Sequence, residues 1–402
     1  MKSIRELYLI GKGPSSSHTM GPSRAAALFA SEHPEADRFC AVLYGSLALT
    51  GRGHLTDKAV EEALAPVETE IVFDTETKEL PHPNTMDLFA YQNGTETGHI
   101  RVLSTGGGAI TVVGRPDVAT PEVYAERSYA EIAAWCKSHN ARLPDYVEYN
   151  EGPQIWDDLY RVWDTMKKSI VNGLSVSGTL PGGLQVERKA QYLHEQRHID
   201  ESAATKENRL VCSYAFAVAE ENASGGTIVT APTCGACGVL PSALRYMQEQ
   251  RGFSDEQVLR ALAAAGVVGN LIKTNASISG AQCGCQAEIG SACSMTAAAL
   301  GELFELGIDQ IEYAAEVAME HHLGLTCDPI GGLVQIPCIE RNAVAAMRAI
   351  NALSLANFLT STRKISFDLV VKTMYETGLD MSHRYRETAE GGLAKNYATN
   401  FC

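Results

Sequence analysis

The run Asp255-Glu-Gln-Val-Leu-Arg-Ala-Leu-Ala-Ala-Ala-Gly-Val-Val-Gly-Asn-Leu271 and its sequel decide the architecture. The sequel is Lys273-Thr-Asn-Ala-Ser-Ile-Ser-Gly-Ala-Gln-Cys-Gly-Cys-Gln-Ala-Glu-Ile-Gly-Ser-Ala-Cys-Ser294. The first run is a long helical pattern. The second is dense in small and polar residues and carries Cys283, Cys285 and Cys293. A further helical pattern follows over 293–306. From Pro153 onward the same alternation recurs, with helical patterns at 154–172, 210–222, 241–251, 308–322, 339–358 and 367–378. Gly, Pro, Ser, Thr and Cys fill the loops between them. A helical scaffold that carries small-residue loops is a common way to build a site.

The first 120 residues read differently, as mixed α/β. A short helix is expected over 23–31, after Pro22. Apolar or alternating runs lie at 41–49, 69–74, 86–92 and 100–104. The last two flank Asn93-Gly94, which suggests a hairpin with a connection longer than two residues. Gly106-Gly107-Gly108 interrupts the pattern before a further run at 109–113. The expected fold class is α+β, with a small mixed N-terminal domain over 1–120. A linker with one helix spans 121–150, and a mainly α-helical domain spans 151–402.

Composition bounds the function. The chain has 402 residues, 45% apolar and 20% charged, which is globular rather than disordered. No apolar run reaches the roughly 18 residues a membrane span needs. The opening Met1-Lys2-Ser3-Ile4-Arg5-Glu6 has no apolar core of a signal peptide, so a cytoplasmic location is expected. A net charge of −15 disfavours nucleic acid as a partner. The 11 cysteines are an odd number without a secretory context, which argues against a disulfide framework. Only Cys40 and Cys136 fall in the first 200 residues.

Four loops carry chemistry. Gly13-Pro-Ser-Ser-Ser-His-Thr-Met-Gly-Pro22 sets Ser15, Ser16, Ser17, His18 and Thr19 before a helix start. Hydroxyls and free N–H groups there suit a carboxylate or phosphate, or serve only as an N-cap. Tyr44-Gly-Ser-Leu-Ala-Leu-Thr-Gly-Arg-Gly-His54 reads as a strand ending in a Gly-x-Gly turn that presents one histidine, a side chain suited to proton abstraction near neutrality. The other two are the 273–294 loop and the pair His321-His-Leu-Gly-Leu-Thr-Cys-Asp-Pro329 and Ile336-Pro-Cys-Ile-Glu-Arg-Asn342. Cys234-x-x-Cys237 offers one zinc-like pair and Cys283-x-Cys285 a poorer one. Iron–sulfur ligands can be more widely spaced. Spacing alone leaves both readings open.

These motifs resemble the iron–sulfur-dependent L-serine dehydratases (L-serine ammonia-lyases) of the single-chain form. The resemblance rests on residues 13–19 and 44–54, Ala231-Pro-Thr-Cys-Gly-Ala-Cys-Gly238, Asn275-Ala-Ser-Ile-Ser-Gly-Ala281, Gly324-Leu-Thr-Cys-Asp-Pro329, Gln335-Ile-Pro-Cys-Ile-Glu-Arg-Asn342 and Met374-Tyr-Glu-Thr-Gly-Leu-Asp380. It implies a β-type N-terminal domain, similar to allosteric substrate-binding domains, and a helical α-type domain holding a [4Fe–4S] cluster. Its cluster ligands fall on Cys285, Cys327 and Cys338. The implied reaction converts L-serine to pyruvate and ammonia. His54 is then the expected base. Ser15, Ser16, Ser17, His18 and Thr19 would hold the substrate carboxylate, with Lys273, Asn275, Ser277 and Ser279 as further substrate contacts. The terminal Cys402 is a candidate fourth ligand to the cluster when substrate is absent. Family analogy and base rate point to a homodimer.

Three rivals remain at this stage. One is a sister lyase acting on L-threonine or L-cysteine. Another is a pyridoxal-phosphate enzyme, for which Lys273 is the only lysine in a suitable polar loop. The third is a zinc-stabilised module that senses serine.

Overall fold

The computed structural model describes residues 1–116, 121–196, 201–359 and 363–401. The fold is α+β. Its elements in order are β1 (Ile10–Lys12), α1 (Gly21–Glu32), β2 (Arg38–Tyr44), α2 (Gly45–Thr50), α3 (Thr56–Leu64), β3 (Glu68–Asp74), β4 (Thr85–Gln92), β5 (Thr95–Gly106) and β6 (Ala109–Val112). Then come α4 (Tyr129–His139), α5 (Leu143–Glu151), α6 (Ile155–Ser175), α7 (Ala190–Glu195), α8 (Ala203–Ala223), β7 (Thr227–Val229), α9 (Val239–Arg251), α10 (Asp255–Asn275), α11 (Gly280–Cys283), α12 (Ser291–Leu303), α13 (Ile308–Glu320), α14 (Cys338–Leu359), α15 (Phe367–Asp380) and α16 (Gly392–Phe401).

Five strands form one sheet in the order β3-β2-β4-β5-β6. Only the β2–β3 pair is parallel; α2 and α3 make the crossover such a pair requires. Alternation along β2 buries Phe39, Ala41 and Leu43 on one face. That face packs against Ala25, Ala26 and Phe29 of α1 and Val60 and Leu64 of α3. Between β4 and β5 the connection is two residues, shorter than the sequence suggested. Asn93 and Gly94 both take positive φ, 51° and 78°, which a tight primed turn demands. The 41–49 run is also not all strand. β2 stops at Tyr44 and the chain turns at Gly45 into α2, because Leu47 and Ala48 bury against the sheet from a helical turn.

Two central helices, α10 and α12, are buried nearly all round, as their Ala- and Gly-rich sequence allows. A Cβ at Gly269 would lie 2.6 Å from Leu7 and 2.7 Å from Met295, so the glycine sets how closely three segments meet. A Ser254–Gln257 capping box starts α10.

The chain's opening residues were expected in the small N-terminal domain. Instead Met1, Ile4, Leu7 and Tyr8 sit in the helical core, and β1 pairs antiparallel with β7. The 121–150 stretch carries α4 and most of α5 rather than one helix, and both pack into that same core. Among the described residues no helix is long and apolar enough to cross a membrane.

Candidate active site

The site lies where the small sheet unit meets the helical unit. From the sheet unit come a π-type turn at Ser16–Met20 and the loop after α2. From the helical unit come the Gln286–Gly290 turn, the 324–338 loop, the start of α14 and the segment before α16.

His18 and His54 stack with ring centroids 4.4 Å apart, both fully buried. Their tautomers follow from their partners. His54 Nδ1 lies 3.0 Å from the Thr50 carbonyl, which can only accept. Nδ1 therefore carries the proton and Nε2 keeps a lone pair. Burial lowers the His54 pKa to about 4, so the ring is neutral at pH 7. The Ser46 hydroxyl donates to the Glu387 carbonyl at 2.6 Å, so it accepts from His18 Nε2 at 3.0 Å. His18 Nδ1 in turn accepts from the Ser17 hydroxyl at 2.9 Å.

The serine-rich loop holds this pair in place. Ser15 Oγ accepts the His18 N–H, and Thr19 Oγ1 donates to the His54 carbonyl at 2.7 Å. Ser104 Oγ of β5 donates to the Ser17 carbonyl at 2.7 Å. Ser16 is buried in the same turn. Thus part of the hydroxyl run positions the histidines.

Glu387 faces both rings. Its Oε1 stands 3.6 Å from His18 Nδ1 and 3.6 Å from His54 Nε2. Among the described residues, these three form the one His/Cys/Asp/Glu group whose ligand atoms all lie within 4.8 Å of one another. Burial raises the Glu387 pKa well above the carboxylate range, and Glu288 and Cys285 raise it further. The segment bearing Glu387 is clipped across the site. Cys327 N–H donates to the Tyr385 carbonyl and Glu387 N–H to the Cys327 carbonyl, each at 2.8 Å. Leu393 N–H donates to Asp328 at 2.6 Å.

Beside this lie the thiols. Cys285 and Cys327 hydrogen-bond each other, and Cys338 is near enough for its charge to interact with Cys285. The bond to Cys327 holds the Cys285 pKa below the usual thiol range, while that same bond to Cys285, and then burial, raises Cys327. Arg341 hydrogen-bonds Cys285 and anchors on the Thr326 carbonyl at 2.6 Å, so a cation faces the thiol group. Glu288 accepts from Thr233 at 2.8 Å and lies 4.0 Å from Cys327 Sγ; burial, then Cys285, lifts its pKa to about 8.

Several expected site residues point elsewhere. Lys273 Nζ donates to the Glu6 carbonyl, and Asn275 donates to the Arg127 carbonyl. Both act as ties to other chain segments, because α10 runs on to Asn275 and turns them away from the loop read from sequence. Ser277 Oγ accepts from the Ser279 N–H and bonds Cys283. Ser279 stays close: its Oγ is buried with no partner among the described residues, and Gly106 of β5 packs on its Cβ. Cys234 abuts Met20, and Cys237 points to the Val218 carbonyl, so this pair faces two different neighbours. Cys402 lies outside the described residues.

Sequence reasoning passed over Glu387, Glu288 and Arg341. For Glu387 the one available signal is the polar Arg386-Glu-Thr-Ala-Glu-Gly-Gly392 run in an otherwise plain tail.

Comparison with known proteins agrees over the whole chain. The serine dehydratase beta chain model matches residues 3–70, and the serine dehydratase alpha chain model matches residues 70–394. The L-serine dehydratase of Streptomyces coelicolor is 41% identical, with 98% of each chain aligned. L-serine dehydratase 1 of Escherichia coli is 39% identical over 98% of this chain and 99% of its own. The L-serine dehydratase of Haemophilus influenzae is 38% identical over 100% of both. The chain belongs to the serine dehydratase family.

Proposed function

We propose that the protein is an L-serine ammonia-lyase that forms pyruvate and ammonia. One observation carries this reading: a neutral, buried His54 whose Nδ1 is bonded to Thr50 and whose Nε2 is left to face Glu387, on a segment clipped to Cys327. The relatives named above supply the substrate class.

The donor set fits a thiolate-held cofactor. Cys285, Cys327 and Cys338 gather at Arg341, whose cation favours the thiolate of Cys285, the one of the three held below the usual thiol range. They do not all lie within 4.8 Å of one another, whereas sulfurs around a single tetrahedral zinc sit about 4 Å apart. The wider set suits a multinuclear cluster. Bound there, a [4Fe–4S] cluster would supply a Lewis acid for the substrate hydroxyl. Cys402 is proposed as a further ligand in the resting enzyme. The start of α16 is tied to Asp328, next to Cys327, which tethers the tail on the thiol side.

The chain's own residues then do the following. The Ser15–Thr19 turn holds the substrate carboxylate near the rings. His54 Nε2 takes the Cα proton, and the freed pair forms the Cα=Cβ bond as the Cβ–O bond breaks; the departing hydroxide takes a proton back from the His54 imidazolium and leaves as water. Aminoacrylate tautomerises to an imine, which water hydrolyses to pyruvate and ammonium. Seclusion between the two units keeps bulk water from competing for the base. A homodimer in a reducing cytoplasm belongs to the same reading.

The test is the visible spectrum of anaerobically purified protein, followed by turnover. A brown protein that forms pyruvate from L-serine supports the reading. A colourless protein containing zinc overturns it in favour of a sensing module. Turnover of L-threonine or L-cysteine in preference to L-serine would reassign the substrate. The His54→Ala variant should lose turnover while keeping the absorbance; losing the absorbance would make His54 structural.

A further inference from the structure

The segment over 178–188, between α6 and α7, has no part in the scheme above. It folds back on itself as a short arm. Thr179 and Glu187 form an antiparallel bridge. The Leu180 N–H donates to the Val186 carbonyl and the Arg188 N–H to the Gly178 carbonyl, each at 2.8 Å. The base of the arm is tied to α8. There Glu220 Oε1 accepts the Lys189 N–H at 2.7 Å, and Arg188 donates to the Ser224 hydroxyl. The rest of the arm lies at the surface. Leu180, 4% exposed, is the only buried residue in it.

Leu180 enters neither main core. It packs with Ala219 and Ala223 of α8 and with Ile339 in a small cluster of its own. Ile339 directly follows Cys338. Two more contacts reach the same loop. Gln335, itself buried, donates from Nε2 to the Pro181 carbonyl at 2.6 Å. Gly182, with φ of 105°, lies so close to Leu333 that a Cβ there would come within 2.6 Å of Leu333 Cδ2. The arm therefore touches the chain around Cys338 at residues 333, 335 and 339. That chain has little anchorage besides. Ile330 and Val334 are buried but join neither main core. A stretch with few apolar contacts of its own opens at low free energy unless a neighbour holds it shut.

We propose that the 178–188 arm is a strap that positions the Cys338 loop, with Leu180 as its peg. While the peg is seated, Cys338 stays beside the other thiols. Unseating it frees the loop and hastens loss of the group those thiols hold. Leu180 is thus a positioning residue that acts through Ile339, and Pro181 acts through Gln335. The strap itself needs no bound group. Its consequence for cofactor retention rests on the reading of Cys338 as a ligand.

The experiment is hydrogen exchange by mass spectrometry on the full-length, anaerobically purified protein, beside chelator-driven bleaching of its visible band. Leu180→Ala removes the peg and leaves both main cores intact. The 328–340 region includes the bonded N–H groups of Ile330, Leu333, Gln335 and Ile339. It should exchange at least about 10-fold faster than in wild type, the low side of what losing a buried leucine side chain gives. Exchange in α12 should not change, and the band should bleach faster by a similar factor. Leu180→Met is apolar and close in volume, so it should restore slow exchange. Exchange over 328–340 within about twofold of wild type in the Ala variant overturns the strap. Faster exchange in α12 as well overturns it, because Leu180 would then support the whole fold. A Met variant no slower than Ala overturns it too. Faster exchange with unchanged bleaching overturns the role in retention. A wild-type protein with no visible band means that the ligand reading has failed, and the retention role with it; hydrogen exchange still decides the strap in that protein.

Discussion

Gly53→Ala tests whether the seam between the two units is what builds the site. Gly53 precedes His54 and presses on the 331–332 turn of the helical unit. A Cβ at Gly53 would lie 2.6 Å from the Gly332 oxygen, 2.7 Å from its carbonyl carbon and 2.8 Å from the Gly331 oxygen. All three atoms are backbone, so no rotamer change relieves the overlap. Ordinary contact begins at 3.4 Å. The two loops must separate by about 0.8 Å, and overpacking of this kind costs about 1–3 kcal/mol. His54 is the next residue, so the separation moves the proposed base away from the Cys327–Cys338 side. A displacement near 1 Å in a catalytic geometry costs on the order of 10² in rate. The expected result is a kcat lowered by about 10²-fold, with cluster absorbance retained, because none of the three proposed cysteine ligands is touched. Pyruvate formation is followed by a coupled dehydrogenase assay and the cluster by its visible band. An Ala variant with wild-type kcat would show that His54 does not act across this seam.

Two further outcomes follow from the same structure. Removal of Cys402 alone should change the resting cluster spectrum and any activation lag; if both stay as in wild type, the tail is not a ligand. His322 is buried, and burial lowers its pKa to about 4. The unfolded chain therefore binds more protons below pH 6.5, so stability falls as pH drops from about 6.5 to 4. At pH 5 the loss is about 2 kcal/mol for this group. Urea midpoints at pH 7 and pH 5 should therefore separate more in wild type than in His322→Gln; equal separations would refute a neutral buried His322.

The long helices were legible because their apolar period survives context. The 255–271 run begins at Asp255, where the sequence placed it, and continues to Asn275. Short elements were not. Residues 45–50 read as more strand, because Leu47-Ala48-Leu49 has no period of its own; the turn at Gly45, with φ of 52°, decides the matter. Residues 394–402 carry no strong helical pattern in sequence, yet Gly392–Phe401 forms α16, whose first turn is held by Asp328.

By itself the sequence determined the helical scaffold, the α+β class and the family, and it singled out the thiols and the histidine. Those properties live in local period and in ordered motifs. Only the tertiary structure decided which of the singled-out residues meet. It turned Lys273 and Asn275 onto other segments, gave Ser15 and Thr19 to positioning the rings, and buried Met1, Ile4, Leu7 and Tyr8 in the helical core. It also brought in Glu387, whose carbonyl accepts from a serine 341 residues earlier in the chain. No local pattern encodes such a contact. It exists because the 385–393 segment satisfies its backbone on Cys327, Asp328 and Ser46 at once, and that demand is set by the packed units rather than by the neighbours of Glu387 in sequence.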